Sequence, residues 1–187
     1  MKTWALVIAA GRSKRFNGVK PLASWNDRCT LLEHAVATVR PVTLNNIMII
    51  NGAHRLPAIP QTRALHNPDW KAGMGTSIAT GIKGILDLSP EVSIILLMTV
   101  DQPLTTTAHL EALCRMAQKH DQTVFTAGED FISPPVALIK NDFKAALSLS
   151  GEKGLKSVVP TDIHVQNPAA VQDADTPAQL AALQPDS

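Results

Sequence analysis

The sequence predicts a three-layer α/β protein, in which a mostly parallel β-sheet lies between helices on both faces. Apolar runs that fit buried strands alternate with segments of helical periodicity, which is the order that such a sheet requires. The chain has 187 residues, of which 45% are hydrophobic and 18% are charged, so it can bury a substantial core. It shows neither a repeat nor a linker-like break. Residues 1–187 are therefore expected to form one domain.

Five strands and six helices are expected, each from an apolar or periodic run bounded by loop-forming residues. The strands are Thr3 to Ala9, Asn46 to Asn51, Val92 to Val100, Thr123 to Thr126 and Val136 to Ile139, with short extended pieces near Ala64-Leu65, His164-Val165 and Val171. The helices are Leu31 to Val39, Gly75 to Leu86, Thr106 to His120, Asp142 to Leu149, Lys153 to Val158 and Pro177 to Leu183. Pro103 stops the third strand, and Pro177 suits the first position of the last helix.

The loop after the first strand carries the strongest chemical signal. Gly11 ends the strand, and a hydroxyl and four cations follow it closely, namely Arg12, Ser13, Lys14, Arg15 and Lys20. Open α/β sheets bind ligands at such a loop, and this residue set suits a triphosphate. Backbone amides after Gly11 could add an anion-binding nest. The segment is neither a dinucleotide fingerprint nor a P-loop, and a merely solvated basic surface is the alternative. We expect these cations to be exposed, so that removing Lys20 should hardly affect folding.

Three aspartates are candidate metal ligands. Asp101 ends an apolar strand at the edge where the basic loop is expected, and its hard oxygens suit Mg²⁺. One of Asp173 and Asp175, which precede the last helix, is expected to join Asp101 around the metal. The alternatives are structural. Asp101 could cap the following turn, and Asp175 or Thr176 could be the N-cap of the last helix.

Two further loops run into helices. Residues 66–77 contain turn formers and then a helix N-terminus with free amides and two hydroxyls, Thr76 and Ser77, which is a setting that binds anions readily. Simple capping by these hydroxyls is the alternative. Residues 151–157 open a short helix with cations nearby, for which a turn with an exposed charged face is the alternative.

Composition argues against several functions. Seventeen Lys and Arg residues against sixteen Asp and Glu give a net charge of +1, and Tyr is absent, so a nucleic-acid partner is not expected. No apolar run approaches the roughly 20 residues that span a bilayer, so no membrane association is expected. The histidines lack zinc-ligand spacing. Cys29 and Cys114 form no disulfide framework and lack a placed catalytic partner, which fits a reducing cytoplasm. The short apolar run after Met1 is followed by basic residues and no cleavage site, unlike a secretory signal.

The segments named above resemble, in order and spacing, those of the MobA-like nucleotidyltransferases, and within them the molybdenum cofactor cytidylyltransferases. The family opens with A-A-G-x-S-x-R-M-G-x-x-K and continues with N-P-x-W/Y-x-x-G-M-x-x-S, D-Q/M-P, G-D-x-G-x-R and D-x-D-T-P-E-D. The corresponding segments here are 9–20, 67–77, 101–103, 151–156 and 173–179. The resemblance covers essentially the whole chain.

The resemblance implies a Rossmann-like nucleotidyltransferase fold and a Mg²⁺-dependent transfer. Arg15 and Lys20 would be the principal phosphate cations, and Asp101 would hold the metal with Asp173 or Asp175. The nucleotide-binding residues implied by the matched segments are Ala9, Ala10, Gly11, Arg12, Ser13, Asn67, Gly73 and Ser77.

The implied reaction is attack of the molybdopterin phosphate on the α-phosphorus of CTP, with loss of pyrophosphate. Ala10 stands where cytidylyl members have alanine and guanylyl members tend to have glycine, so it favours CTP over GTP. The implied protein partner is a molybdenum hydroxylase, which would receive the finished cofactor.

Three segments depart from the family pattern. Asn17 replaces a glycine, and asparagine tolerates positive φ better than most residues. Residues 132–136 read I-S-P-P-V where the family has G-H-P-V, on the acceptor side of the site, and 177–179 lacks the family's acidic pair. Two alternatives to the cytidylyltransferase therefore stay open: an enzyme that uses GTP or a sugar phosphate, and a catalytically weakened nucleotide-binding protein that hands the cofactor to a hydroxylase.

Overall fold

The structure is a computed structural model that describes residues 2–184. Its strands are β1 (Thr3–Ala9), β2 (Ser24–Asn26), β3 (Cys29–Thr30), β4 (Ile47–Asn51), β5 (Arg63–His66), β6 (Ile94–Thr99), β7 (Val124–Ala127), β8 (Ile132–Ile139) and β9 (Ile163–Gln166). Its α-helices are α1 (Leu31–Thr43), α2 (Met74–Leu88), α3 (Thr107–His120), α4 (Phe143–Leu147) and α5 (Pro177–Leu183). Short 3₁₀ turns lie at Lys20–Leu22, Trp70–Ala72, Lys140–Asp142 and Leu155–Ser157.

Seven strands form the central sheet in the order β5-β4-β1-β6-β8-β7-β9. All of them run in one direction except β8, which pairs antiparallel with both β6 and β7. The mostly parallel α/β sheet predicted from the sequence is thus confirmed. The carboxyl ends of β1 and β6 lie side by side, because these two strands pair in parallel from Thr3↔Ile94 to Ile8↔Thr99.

Alternation along β1 explains why both faces of the sheet are covered. Leu6 and Ile8 are buried in one apolar cluster, on the side of α2 and α4, whereas Ala5 and Val7 are buried in a second cluster, on the side of α1 and α3. A strand buried on both faces reads as a continuous apolar run, which is the pattern that marked β1 in the sequence. In the part of the chain that the structure describes, no helix is both long and apolar enough to cross a membrane.

Several predicted element boundaries are wrong. Helix α1 continues through Pro41 to Thr43, and the β2–β3 hairpin, made of strands of three and two residues, was not predicted. The predicted helix over 153–158 is only a 3₁₀ turn, and the helix at 142–149 is shorter than predicted. The extended piece predicted at Val171 is a turn.

Strand β8 begins at Ile132, four residues before the predicted start, although it contains Pro134 and Pro135. Proline cannot donate a ladder hydrogen bond and is tolerated at bulges. Here the pairing with β7 shifts register between Phe125↔Val136 and Thr126↔Ser133, so both prolines fall in the irregularity.

His109 of α3 is buried against the sheet, where its Nε2 lies 2.8 Å from Thr126 Oγ1. Since the Thr126 hydroxyl donates to Pro135 O at 2.7 Å, Oγ1 accepts from His109, whose Nε2 therefore carries the proton. Burial lowers the pKa of His109 below its ordinary value of 6.5.

This burial predicts a pH-dependent stability. Below about pH 6.5 the unfolded chain binds a proton at His109 that the folded chain resists. The free energy of unfolding therefore decreases as the pH is lowered below about 6.5, and His109 has no effect on it at higher pH. His109→Gln keeps a donor for Thr126 and should reduce that fall in urea-unfolding measurements. The exposed His164→Gln is the control. A His109→Gln profile parallel to that of the wild type would contradict the prediction.

Candidate functional site

A cleft of about 480 Å³ opens at the carboxyl edge of β1 and β6. Three segments and two single residues line it. The segments are the end of β1 with the basic loop (Ile8 to Arg15, Lys20 and Pro21), residues between Trp70 and Ser77, and the end of β6 (Thr99 to Asp101), and the single residues are Glu152 and Asp175. Of the nucleotide-binding residues predicted from the sequence, Ala9, Ala10, Gly11, Arg12, Ser13, Gly73 and Ser77 line the cleft.

The basic loop is held by its own backbone and by one apolar anchor. Ser13 has φ of 56°, and its Oγ accepts from the Lys20 backbone N–H at 3.2 Å, which closes the loop on itself. Phe16 N–H donates to Ser13 O at 2.9 Å, while the Phe16 ring is buried with Trp25 and Leu31. Asn17 adopts φ of 54°, the conformation that a glycine would supply at this position.

Lys20 is the centre of the site's charge network. Its Nζ donates to Asp101 Oδ2 at 2.8 Å and to Asp175 Oδ1 at 2.9 Å. Arg15 Nη2 donates to the other oxygen of Asp175 at 2.7 Å. Two cations from the basic loop thus neutralise two carboxylates, one from the end of β6 and one from the start of α5.

Lys20 remains charged in this setting. Burial by itself would lower the pKa of Lys20, but the neighbouring carboxylates of Asp101 and Asp175 outweigh it and raise the pKa above its ordinary value. The hydrogen bond from Lys20 lowers the pKa of Asp175, against the effect of partial burial and with help from the charges of Lys20 and Arg15.

The expectation that Lys20 is an exposed cation is wrong, because the residue is only 9% exposed. The 3₁₀ turn Lys20–Leu22 directs the chain inward, and the ammonium ends between two carboxylates. Arg12, Lys14 and Arg15 are exposed as expected.

The N-cap alternative for the last helix holds through Thr176, whereas the carboxylates of Asp175 and Asp101 bond to loop cations. Thr176 is the N-cap of α5, since its hydroxyl accepts from Gln179 N–H at 3.2 Å, and the Asp175 carboxylate faces Arg15 and Lys20 instead. Thr106 caps α3, which leaves the Asp101 carboxylate bonded to Lys20. Both carboxylates are therefore directed at the loop cations.

Asp173 lies beside this network and does not line the cleft. The residue as a whole is exposed. Desolvation, followed by the charge of Asp101, raises the pKa of Asp173 to about 6.

The residues present fit a divalent cation. Within residues 2–184, no three or more His, Cys, Asp or Glu side chains are grouped to hold a metal. However, Mg²⁺ in phosphate-binding sites commonly takes only one or two carboxylates and completes its shell with phosphate oxygens and water. Asp101 and Asp175 supply two hard oxygens that already converge on one positively charged atom, the Lys20 nitrogen.

Asn67 is the one predicted nucleotide-binding residue that does not line the cleft. Its side chain is buried beneath the 67–77 segment, where Nδ2 donates to Thr76 Oγ1 and to Ser77 Oγ, each at 2.9 Å, and Oδ1 accepts from Asp69 N–H at 3.0 Å. Asn67 thus positions the Ser77 hydroxyl, which does line the cleft. Among residues 2–184 no side chain caps the N-terminus of α2, so the capping alternative for Thr76 and Ser77 does not hold.

The start of α2 packs tightly against the loop at 150–153. Gly73 has φ of 123°, and a Cβ placed there would lie 2.4 Å from the Gly151 backbone. Gly75 N–H donates to Gly151 O at 2.9 Å. The two segments form one continuous wall, which brings Glu152 to the cleft.

Sequence reasoning did not single out Trp70, Lys71, Met74, Thr99 or Glu152 as cleft residues. The family motif matched to 67–77 includes an aromatic residue at Trp70, and the structure adds its neighbour, because a Cβ at Gly52 would lie 2.6 Å from Trp70 Cβ. Gly52 follows β4 and makes room for this side chain at the cleft.

The chain is similar to known proteins in sequence and in fold. The family described as MobA-like NTP transferase domain matches residues 5–167. A relative described as a probable molybdenum cofactor guanylyltransferase, from Chloroflexus aggregans, is 28% identical over 113 residues, which are 59% of this chain and 51% of the relative. The match therefore spans about half the length of that relative.

Solved structures of low sequence identity share the fold. Rv0371c from Mycobacterium tuberculosis has a TM-score of 0.78 at 22% identity, with 97% of each chain covered. A structure of Rv0371c in complex with manganese has a TM-score of 0.75 at 19% identity, with 98% of each chain covered. The predicted Rossmann-like nucleotidyltransferase fold is confirmed.

Proposed function

The chain belongs to the MobA-like NTP transferase family, and from that premise we propose that it transfers CMP from CTP to the phosphate of molybdopterin, with Mg²⁺ as cofactor and release of pyrophosphate. The observation that carries the proposal is the group of four charged side chains in the cleft, in which Arg15 and Lys20 face Asp101 and Asp175. Such a set can neutralise a triphosphate and hold a hard metal ion.

The cationic and the acidic residues of the cleft have different roles in the proposed reaction. Arg15 and Lys20 bind the phosphates and hold the triphosphate against the end of β1, while Asp101 and Asp175 would hold Mg²⁺. When bound, the metal would neutralise charge on the phosphates. Asp173 stays beside Asp101 as an outer carboxylate. Positioning and charge neutralisation supply most of the rate in such transfers.

The reaction requires no general base from the protein. The second pKa of a phosphate monoester is about 6, so the acceptor phosphate is mostly a dianion at neutral pH. One of its oxygens forms a bond to the α-phosphorus, and the bond from that phosphorus to the bridging oxygen breaks, so that pyrophosphate leaves with the electron pair. The basic loop is placed to receive this negative charge.

The choice of CTP rests on Ala10, and the choice of GTP on the Chloroflexus relative's description as a guanylyltransferase. Ala10 lines the cleft, and its carbonyl accepts from Ala53 N–H at 3.0 Å, which fixes the backbone there. A methyl group at this position reduces the room for a purine.

The experiment that tests the function measures pyrophosphate release with CTP, GTP, ATP and UTP in turn, with and without molybdopterin and Mg²⁺. The proposal expects release that depends on CTP, molybdopterin and metal together. Release with GTP and molybdopterin would favour the guanylyltransferase, and release with a sugar phosphate would favour the other acceptor. Nucleotide binding without release would favour a protein that passes the cofactor to a molybdenum hydroxylase. The two free cysteines agree with the cytoplasmic location that we propose.

Replacing Ala10 with glycine is expected to shift the ratio of CTP to GTP affinity toward GTP by about 1–3 kcal/mol, since apolar shape discrimination is weak. Isothermal titration with each nucleotide measures the ratio. Ala53→Gly, next to the same backbone hydrogen bond, is the control for a general loosening of the loop. An unchanged ratio would assign base selection to other residues.

A further inference from the structure

Lys20 occupies the position that the proposed function gives to a metal ion. The two oxygens within 2.9 Å of its nitrogen, Asp101 Oδ2 and Asp175 Oδ1, belong to the two carboxylates assigned to Mg²⁺. An ammonium and a divalent cation cannot share a point between two carboxylates, because their mutual repulsion is strong in a partly buried site. Binding of metal to the protein alone must therefore displace Lys20.

The same contacts occupy the phosphate-binding groups. Lys20 bonds to both carboxylates, and Arg15 bonds to Asp175. A triphosphate that arrives without metal must take these cations away from their partners. It then leaves Asp101 and Asp175 unneutralised next to its own negative charge.

Arrival of both ligands removes both costs. The carboxylates exchange an ammonium and a guanidinium for the metal, and the two side chains exchange carboxylates for phosphates. Every charge keeps a partner of opposite sign, with little change in the number of ion pairs. Because binding of each ligand releases the groups that the other needs, the coupling is reciprocal.

We propose that Lys20 is a built-in substitute for the divalent cation, so that metal and triphosphate each bind weakly alone and tightly together through exchange of ion-pair partners. The inference rests on the proposed function, since it takes Asp101 and Asp175 as the metal's residues. One consequence is specific to this exchange: removal of Lys20 should improve binding of the metal alone, and removal of the Asp175 charge should improve binding of the triphosphate alone.

The first test measures Mn²⁺ binding to the nucleotide-free protein by electron paramagnetic resonance of the free ion. Lys20→Met removes the competing ammonium and is expected to raise Mn²⁺ affinity about 5- to 150-fold, the usual range of coupling between linked ligands. The matched control is Lys14→Met, which removes the same charge from the same loop. Lys14 lines the cleft, and among the described residues its ammonium has no carboxylate partner.

The second test measures binding of inorganic tripolyphosphate in the presence of EDTA. Asp175→Asn releases Arg15 and weakens the hold on Lys20, so it is expected to raise metal-free tripolyphosphate affinity by a similar factor while lowering Mn²⁺ affinity. Circular dichroism is used to check that each variant is folded. If Lys20→Met does not fold, Asp175→Asn still tests the inference independently.

Two results would overturn the inference. One is Mn²⁺ affinity in Lys20→Met that is no higher than in Lys14→Met, and the other is tripolyphosphate affinity in Asp175→Asn that does not exceed that of the wild type. Neither measurement involves an acceptor or turnover. Failure of the proposed function would instead appear as absent pyrophosphate release with all four nucleotides while both binding effects persist.

Discussion

Lys20→Ala is expected to lower turnover by about 10²- to 10³-fold, the usual loss when one preorganised charge donor is removed from a transition state. The Lys20 ammonium is buried in the basic loop and stays charged, so a water molecule in its place would not supply the same stabilisation. Steady-state rates of pyrophosphate release at saturating nucleotide measure the loss.

The same substitution should also destabilise the fold, which an exposed cation would not do. Alanine leaves Asp101 and Asp175 close together without the ammonium that bridges them. We expect a loss of about 1–3 kcal/mol in the free energy of unfolding, measured in urea. Lys14→Ala, in the same loop and exposed, should change stability by less than about 0.5 kcal/mol. Full turnover in Lys20→Ala would remove Lys20 from the mechanism.

Asp101→Asn should be the second large effect, with turnover reduced by about 10²-fold or more. Asparagine is nearly isosteric and can still accept from Lys20 Nζ, and the Asp101 carbonyl keeps its hydrogen bond from Ala174 N–H at 2.7 Å. The fold should therefore persist, while the charge that would hold Mg²⁺ is lost. Higher Mg²⁺ or substitution by Mn²⁺ should restore part of the rate.

Comparison within the acidic group sharpens this prediction. Asp175→Asn, whose carboxylate lines the cleft, should also lose turnover, whereas Asp173→Asn, outside the cleft lining, should lose less. Asp162→Asn, an exposed carboxylate before β9, is the control for the charge change. If Asp101→Asn unfolds the protein, or if it keeps its rate at low Mg²⁺, Asp101 has a structural role and the metal-centred mechanism is wrong.

The sequence predicted the layers of the fold because burial on both faces makes β1, β4 and β6 continuous apolar runs. It failed where local rules are overridden by neighbours. Pro134 and Pro135 argue against a strand, yet a register shift against β7 accommodates them. Helix α1 likewise continues past Pro41.

The location of the site was predictable, but its internal partners were not. The carboxyl ends of parallel strands lie at one edge of a sheet, so the loop cations and Asp101 could be placed at that edge from the sequence, and the structure shows that β1 and β6 are neighbours. Two features depend on packing between segments far apart in the chain. They are the burial of Lys20 and the choice of Asp175 over Asp173 as its partner.

The ion pairs of Lys20 connect parts of the chain that are synthesised at very different times. Asp101 follows Lys20 by 81 residues and Asp175 follows it by 155. A nascent chain therefore exposes the basic loop long before its last counter-charge has been synthesised. The ion-pair network of Lys20 can be complete only once the chain extends through Asp175.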